Sequence, residues 1–246
     1  MTIRPICISG NPVLHTRASE VTVFDEELRI LVADMFETMD AAPGVGLAAP
    51  QVGVAKRIFT YTWTEDDGAL KRGVIINPIL EIGEISSDEP DEESESEGCL
   101  SFPGYRFPLK RALAATVTGL DLEQRPVRIE AEGWFARIFQ HEFDHLDGFL
   151  YVDKLLPEFL DEVEEIKQEE GWGVDGLNWL PGKDMKEFYG ELGSRLVRIR
   201  GVGLWGQSFA IPSNSSRHLF NAFAFHSSLP LQHTRIGFGF EPSQRS

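Results

Sequence analysis

Cysteine is nearly absent from this chain: Cys7 and Cys99 are the two among 246 residues. That scarcity excludes a disulfide framework and fits a reducing compartment, where a thiol stays free for other chemistry. Positive charge is also short, with 23 Lys and Arg against 39 Asp and Glu and a formal net charge of −16. So acidic a chain lacks a general electrostatic grip on nucleic acid, and no helix-turn-helix, zinc-finger or aromatic RNA-binding signature compensates. No DNA partner is expected. Long apolar runs are missing too: nowhere do about 18 apolar residues follow one another, and no basic start precedes an apolar stretch near Met1. These absences predict a soluble, cytoplasmic protein that is never secreted and has no membrane association. What is present, 42% hydrophobic residues, suffices for one good-sized core plus an appendage or for two small domains, and one catalytic domain is the simpler reading.

Leu28, Leu31, Val32, Met35 and Met39 recur at helical spacing. With Asp25 as a cap and Pro43-Gly44 as a stop, they predict a helix over 25–40. β-rich runs follow over 57–63, 73–82, 112–120 and 127–131, and their short connections favour antiparallel pairing. Residues 133–146 read as a helix apolar nearly all round, through Trp134, Phe135, Ile138, Phe139, Phe143 and Leu146, and therefore interior. A last helix runs from Pro157 to about Gln168, ended by Gly171 and Gly173. The expected fold class is α+β: antiparallel or mixed sheets packed around a central buried helix, with flanking N- and C-terminal helices. Two segments depart from this pattern. Residues 81–97 hold nine acidic side chains and no basic one, and read as a solvated loop; residues 192–246 carry six arginines, no lysine and one acid, with little periodicity. The expected division is a catalytic domain over 1–170 and a poorly ordered C-terminal extension over 171–246.

The interior helix carries His141-Glu142-Phe143-Asp144-His145. Positions i and i+4 lie one turn apart, so both imidazoles project from one face with Glu142 beside them. Burying such groups costs on the order of several kcal/mol unless something pairs with them, and a divalent cation would do so. Catalytic zinc-type sites take three protein donors and leave a further position to water, so a third donor is required. The extended protease pattern needs histidine at 151, where this chain has Tyr151. A glutamate on the next helix, Glu162, Glu164 or Glu165, is a second candidate, set in a run of charges that reads as a solvated face. Cys99, within Glu97-Gly98-Cys99-Leu100-Ser101, is the third, since a thiolate with two imidazoles is a sound donor set.

One more stretch bears on the choice: Gly44-Val45-Gly46-Leu47-Ala48-Ala49-Pro50-Gln51-Val52-Gly53. Together with Glu97-Gly98-Cys99-Leu100-Ser101 and Gln140-His141-Glu142-Phe143-Asp144-His145, it closely resembles the peptide deformylase family, over a domain from about residue 3 to 170. The resemblance implies a hydrolase that takes the formyl group from the N-terminal formyl-methionine of newly made polypeptides and releases formate. It implies Cys99, His141 and His145 as metal donors, with Glu142 as the catalytic glutamate. Gln51 and the backbone N–H of Leu100 would hold the reacting carbonyl oxygen, and Gly46 would contact the substrate backbone. Val45, Leu100, Trp134 and the rings near His141 would form the methionine slot, in a helix where Arg137 occupies a place expected to be apolar. The implied cofactor is one divalent metal, Fe2+ first, with Zn2+, Ni2+ or Co2+ able to take the same site. The implied partners are nascent formyl-methionyl peptides and, transiently, the ribosome; the expected state is a monomer. A metallopeptidase of the His-Glu-x-x-His type is the competing class.

Overall fold

A computed structural model describes residues 1–189 of the chain. Its elements run in the order β1 (Ile6–Cys7), α1 (Glu26–Ala41), β2 (Gly46–Ala48), β3 (Ile58–Thr64), β4 (Leu70–Ile82), β5 (Ser96–Cys99), β6 (Phe102–Pro108), β7 (Ala114–Leu120), β8 (Pro126–Glu132), α2 (Gly133–Asp147), α3 (Leu160–Glu169) and β9 (Asn178–Trp179). The α+β class and the flanking helices match the reading from sequence.

Helix α1 starts where Asp25 accepts a hydrogen bond from the Leu28 N–H at 3.0 Å, and its first turn carries Glu26 and Glu27 at the positive end of the helix dipole. Its apolar stripe, including Leu28, Val32, Met35 and Met39, is buried in the larger of two hydrophobic clusters. The main sheet is antiparallel, in the order β2-β3-β4-β7-β8. Its pairing with β7 slips between Ile76 and Ile79, where Asn77 adopts φ 51°. Asn77 recovers part of that cost by bonding the backbone of Val21 through both its amide N–H and its carbonyl oxygen, at 2.8 Å each.

Helix α2 packs against β2, β3, β7 and β8. Phe135, Ile138, Phe139 and Leu146 close over Phe59, Tyr61, Ile75 and Val117 to form the second cluster. The helix ends at Gly148 with φ 83°. A Cβ there would meet the Thr16 nitrogen at 2.9 Å, so the stop needs glycine for its space as well as its backbone angle. A separate hairpin, β5-β6, brings Cys99 against this helix.

Two expectations need correction. Packing does not end at residue 170: Trp172, Trp179 and Met185 are buried in the larger cluster, and β9 pairs antiparallel with β1, Ile6 facing Trp179. Residues 171–189 are thus a strap on the catalytic domain, because three large apolar side chains reach its core. The remainder of the expected extension, 190–246, lies outside the described residues. The acidic stretch 81–97 is likewise not all solvated loop, since it begins in β4, ends in β5, and carries Glu97 with no exposed surface.

Candidate metal centre

Sulfur and two imidazoles meet on the buried face of α2. The donor atoms of Cys99, His141 and His145 all lie within 4.8 Å of one another, and all three residues are buried. Cys99 Sγ stands 3.3 Å from His145 Nε2, and the two rings are 5.0 Å apart at 77°. Helix spacing fixes the histidines, while the β5-β6 hairpin delivers the thiol from more than forty residues upstream. Glu162, Glu164 and Glu165, the alternative third donors, are exposed on α3, and the chain has Tyr151 where an extended protease pattern needs histidine.

Orientation of the set comes from a buried charge network. His141 Nδ1 faces Glu97 Oε2 at 3.1 Å, which fixes the orientation of the ring beside the thiol. Glu97 receives the Arg111 guanidinium through Nε at 2.8 Å and Nη2 at 3.0 Å, and Arg137 Nη1 at 2.9 Å. Arg111 spans onward to Asp144 at 2.6 Å, and Asp144 also accepts from Lys154. Burial alone would raise the Glu97 carboxyl, but Arg111 and His141 hold it well below the usual carboxylate range. Burial pushes His145 down, with His141 and Arg111 adding to it; it opposes the rise at His141, where Cys99 and Glu97 prevail. A thiol and two imidazoles packed this closely out of water are a donor set that a divalent cation satisfies.

Glu142 lies beside this set, 3% exposed, with Oε2 lacking any hydrogen-bond partner among the described residues. Burial lifts its carboxyl to about 7, with Glu97 and Asp144 adding and His141 opposing. A carboxyl poised near neutrality with a free lone pair is suited to move a proton. Gly46 abuts it: a Cβ there would sit 2.6 Å from Glu142 Cδ. Gln51 is pinned by its Oε1, which accepts the Ala48 N–H at 2.8 Å, and so presents Nε2 to Ser101 Oγ at 3.3 Å and Cys99 Sγ at 3.7 Å.

An open pocket reaches this centre, lined by Val45, Gly46, Gln51, Leu100, Trp134 and Ile138 among others. Cys99, His141 and Glu142 line the same cavity, and His145 lies behind them, within the donor cluster but not on the cavity wall. Sequence reasoning missed Glu97, Arg111 and Asp144. The available signal was Arg137: a guanidinium within an apolar helix requires a buried anion nearby, and Glu97 is that anion.

The polypeptide deformylase family model matches residues 3–159. The chain belongs to the polypeptide deformylase family. It is a hydrolase of the family that removes N-terminal formyl groups from nascent polypeptides. The peptide deformylase of Mycolicibacterium paratuberculosis is 48% identical over 195 residues, covering 76% of this chain and 99% of that protein. That of Mycobacterium marinum is 49% identical with the same coverage. Among solved structures, a Legionella pneumophila peptide deformylase matches at 38% identity and TM-score 0.57, over 69% of this chain and 96% of its own. The Synechococcus elongatus enzyme in complex with actinonin matches at 34% identity and TM-score 0.59, over 70% and 91%.

Proposed function

We propose that this deformylase cleaves the formamide of nascent formyl-methionyl peptides at a ferrous centre held by Cys99, His141 and His145. The observation that carries the reading is the meeting of one thiol and two imidazoles with a buried, unpartnered carboxylate oxygen on the same helix. When bound, the cation supplies Lewis acidity, which makes water nucleophilic near neutral pH. Glu142 would take a proton from the attacking water and later deliver it to the departing amine, which would otherwise leave as a poor anion. As the formyl carbon becomes tetrahedral, charge grows on its oxygen, and the Gln51 amide and the Leu100 N–H donate to it. Val45 and Gly46 hold the substrate, the glycine through its bare backbone, and Leu100 and Trp134 flank the methionine side chain. Fe2+ is the metal proposed, and Zn2+, Ni2+ or Co2+ suit the same borderline-soft donors.

The enzyme works in the cytoplasm as a monomer, with transient ribosome contact. The free thiols suit a reducing compartment; among the described residues no helix is long and apolar enough to cross a membrane. Anaerobic purification, metal analysis and assay on formyl-Met-Ala-Ser test the proposal. Cys99→Ser should lose bound metal and activity together; if the variant keeps both, as a peptidase with a glutamate donor would, the reading is wrong.

A further inference from the structure

We infer that Trp179, on the strap beyond the family-matched segment, is a positioning residue for the Cys99 sulfur. The inference rests on the metal-site reading above. Cys99 pairs with Phe102 across the β5-β6 hairpin, so Leu100 and Ser101 form its two-residue turn. Two-residue hairpin turns favour the types with positive φ at their central residues, and neither Leu100 nor Ser101 has one. The central peptide of this turn is instead fixed from outside. Trp179 Nε1 donates to the Leu100 carbonyl at 2.8 Å, Ser9 N–H donates to the Ser101 carbonyl at 2.8 Å, and Ser101 N–H donates to Cys99 Sγ at 3.3 Å.

The Leu100 carbonyl and the Ser101 N–H are two ends of one peptide unit. An indole donor on the oxygen therefore polarises and aims the N–H that points at sulfur, and hydrogen bonds in series strengthen one another. Donors to a ligating sulfur drain its charge and tune the metal it holds. The indole is 1% exposed, and it enters from β9, which pairs with β1 and not with the hairpin. Next to it Trp172 packs edge-on against Phe102, ring centroids 4.9 Å apart. The strap thus holds the turn by packing through one tryptophan and by a directed hydrogen bond through the other.

The test uses the full-length protein loaded with Co2+, read by its thiolate-to-cobalt absorption band and by chelator competition. Trp179→Phe keeps an aromatic ring and removes the N–H. It should shift the band to longer wavelength, because a less hydrogen-bonded sulfur gives up charge more readily, and change metal affinity about 10-fold. Trp172→Phe alters strap packing without touching the Leu100 carbonyl, and should leave the band in place. An unmoved band in Trp179→Phe overturns the inference, as does an equal shift in Trp172→Phe, which would trace the effect to loosening of the strap. Absence of any thiolate band in the wild type would instead overturn the metal-site reading itself.

Discussion

Gly46→Ala separates two roles for one glycine. A methyl group at this position would lie 2.6 Å from Glu142 Cδ and 2.8 Å from its Cγ, closer than folded proteins allow. Gly46 is in β2, paired with Tyr61 on β3, and Glu142 is on α2, packed across the same sheet, so neither backbone can retreat cheaply. The carboxylate must rotate away instead. Overpacking of this kind costs about 1–3 kcal/mol, and each kcal/mol lowers the melting temperature of a domain this size by about 2–4 °C. The kinetic cost is larger, because a displaced proton carrier forfeits about 10²–10⁴ in rate. The assay is kcat and KM on formyl-Met-Ala-Ser, with metal content measured on the same sample. The expected result is a collapse of kcat with metal retained. If KM rises while kcat stays within threefold (about the reproducibility separating mutants by 0.6 kcal/mol), the methyl group merely blocks the substrate strand and the steric argument fails.

Arg111→Met removes the cation shared by Glu97 and Asp144. Breaking one partner of a buried pair costs about 3–5 kcal/mol, and the low end is expected because Arg137 and Lys154 remain. Calorimetry should show a midpoint lower by roughly 6–12 °C; an unchanged midpoint would mean the network contributes nothing. Asp34 gives a pH prediction. Burial pushes its carboxyl up, but the Thr2 N–H at 2.7 Å and the Arg4 guanidinium pull it below its ordinary 3.8. A carboxyl depressed on folding stabilises above its ordinary value, and that contribution fades as pH falls through the folded one. The gap in urea midpoint between wild type and Asp34→Asn should therefore be wide at neutral pH and narrow in acid; a gap independent of pH refutes the assignment.

The metal helix was legible because its chemistry is local: one turn of spacing places two imidazoles together, and the surrounding aromatic residues declare the interior. Four of the five strands of the main sheet were legible as β-rich runs, each within a few residues of its observed ends, and β2, three residues long, was not among them. Glu97 was hidden because it closes a run of nine acids that, taken together, look solvated. Nothing within that run distinguishes the carboxylate that two arginines neutralise, since those arginines come from other elements. The strap was hidden for a related reason. Trp172, Trp179 and Met185 follow neither a period of two nor one of 3.6, and β9 is two residues long with its partner at the opposite end of the domain.

That pairing imposes an order on biosynthesis. During translation, α2 and the hairpin bearing the thiol emerge well before Trp179, while the strand that will receive it has been waiting since the first few residues. Until the strap arrives the apolar floor it covers stays exposed, and closing so wide a loop is slow relative to local steps. An enzyme that trims new chains is thus itself a late finisher, completed only when its distal tryptophans arrive.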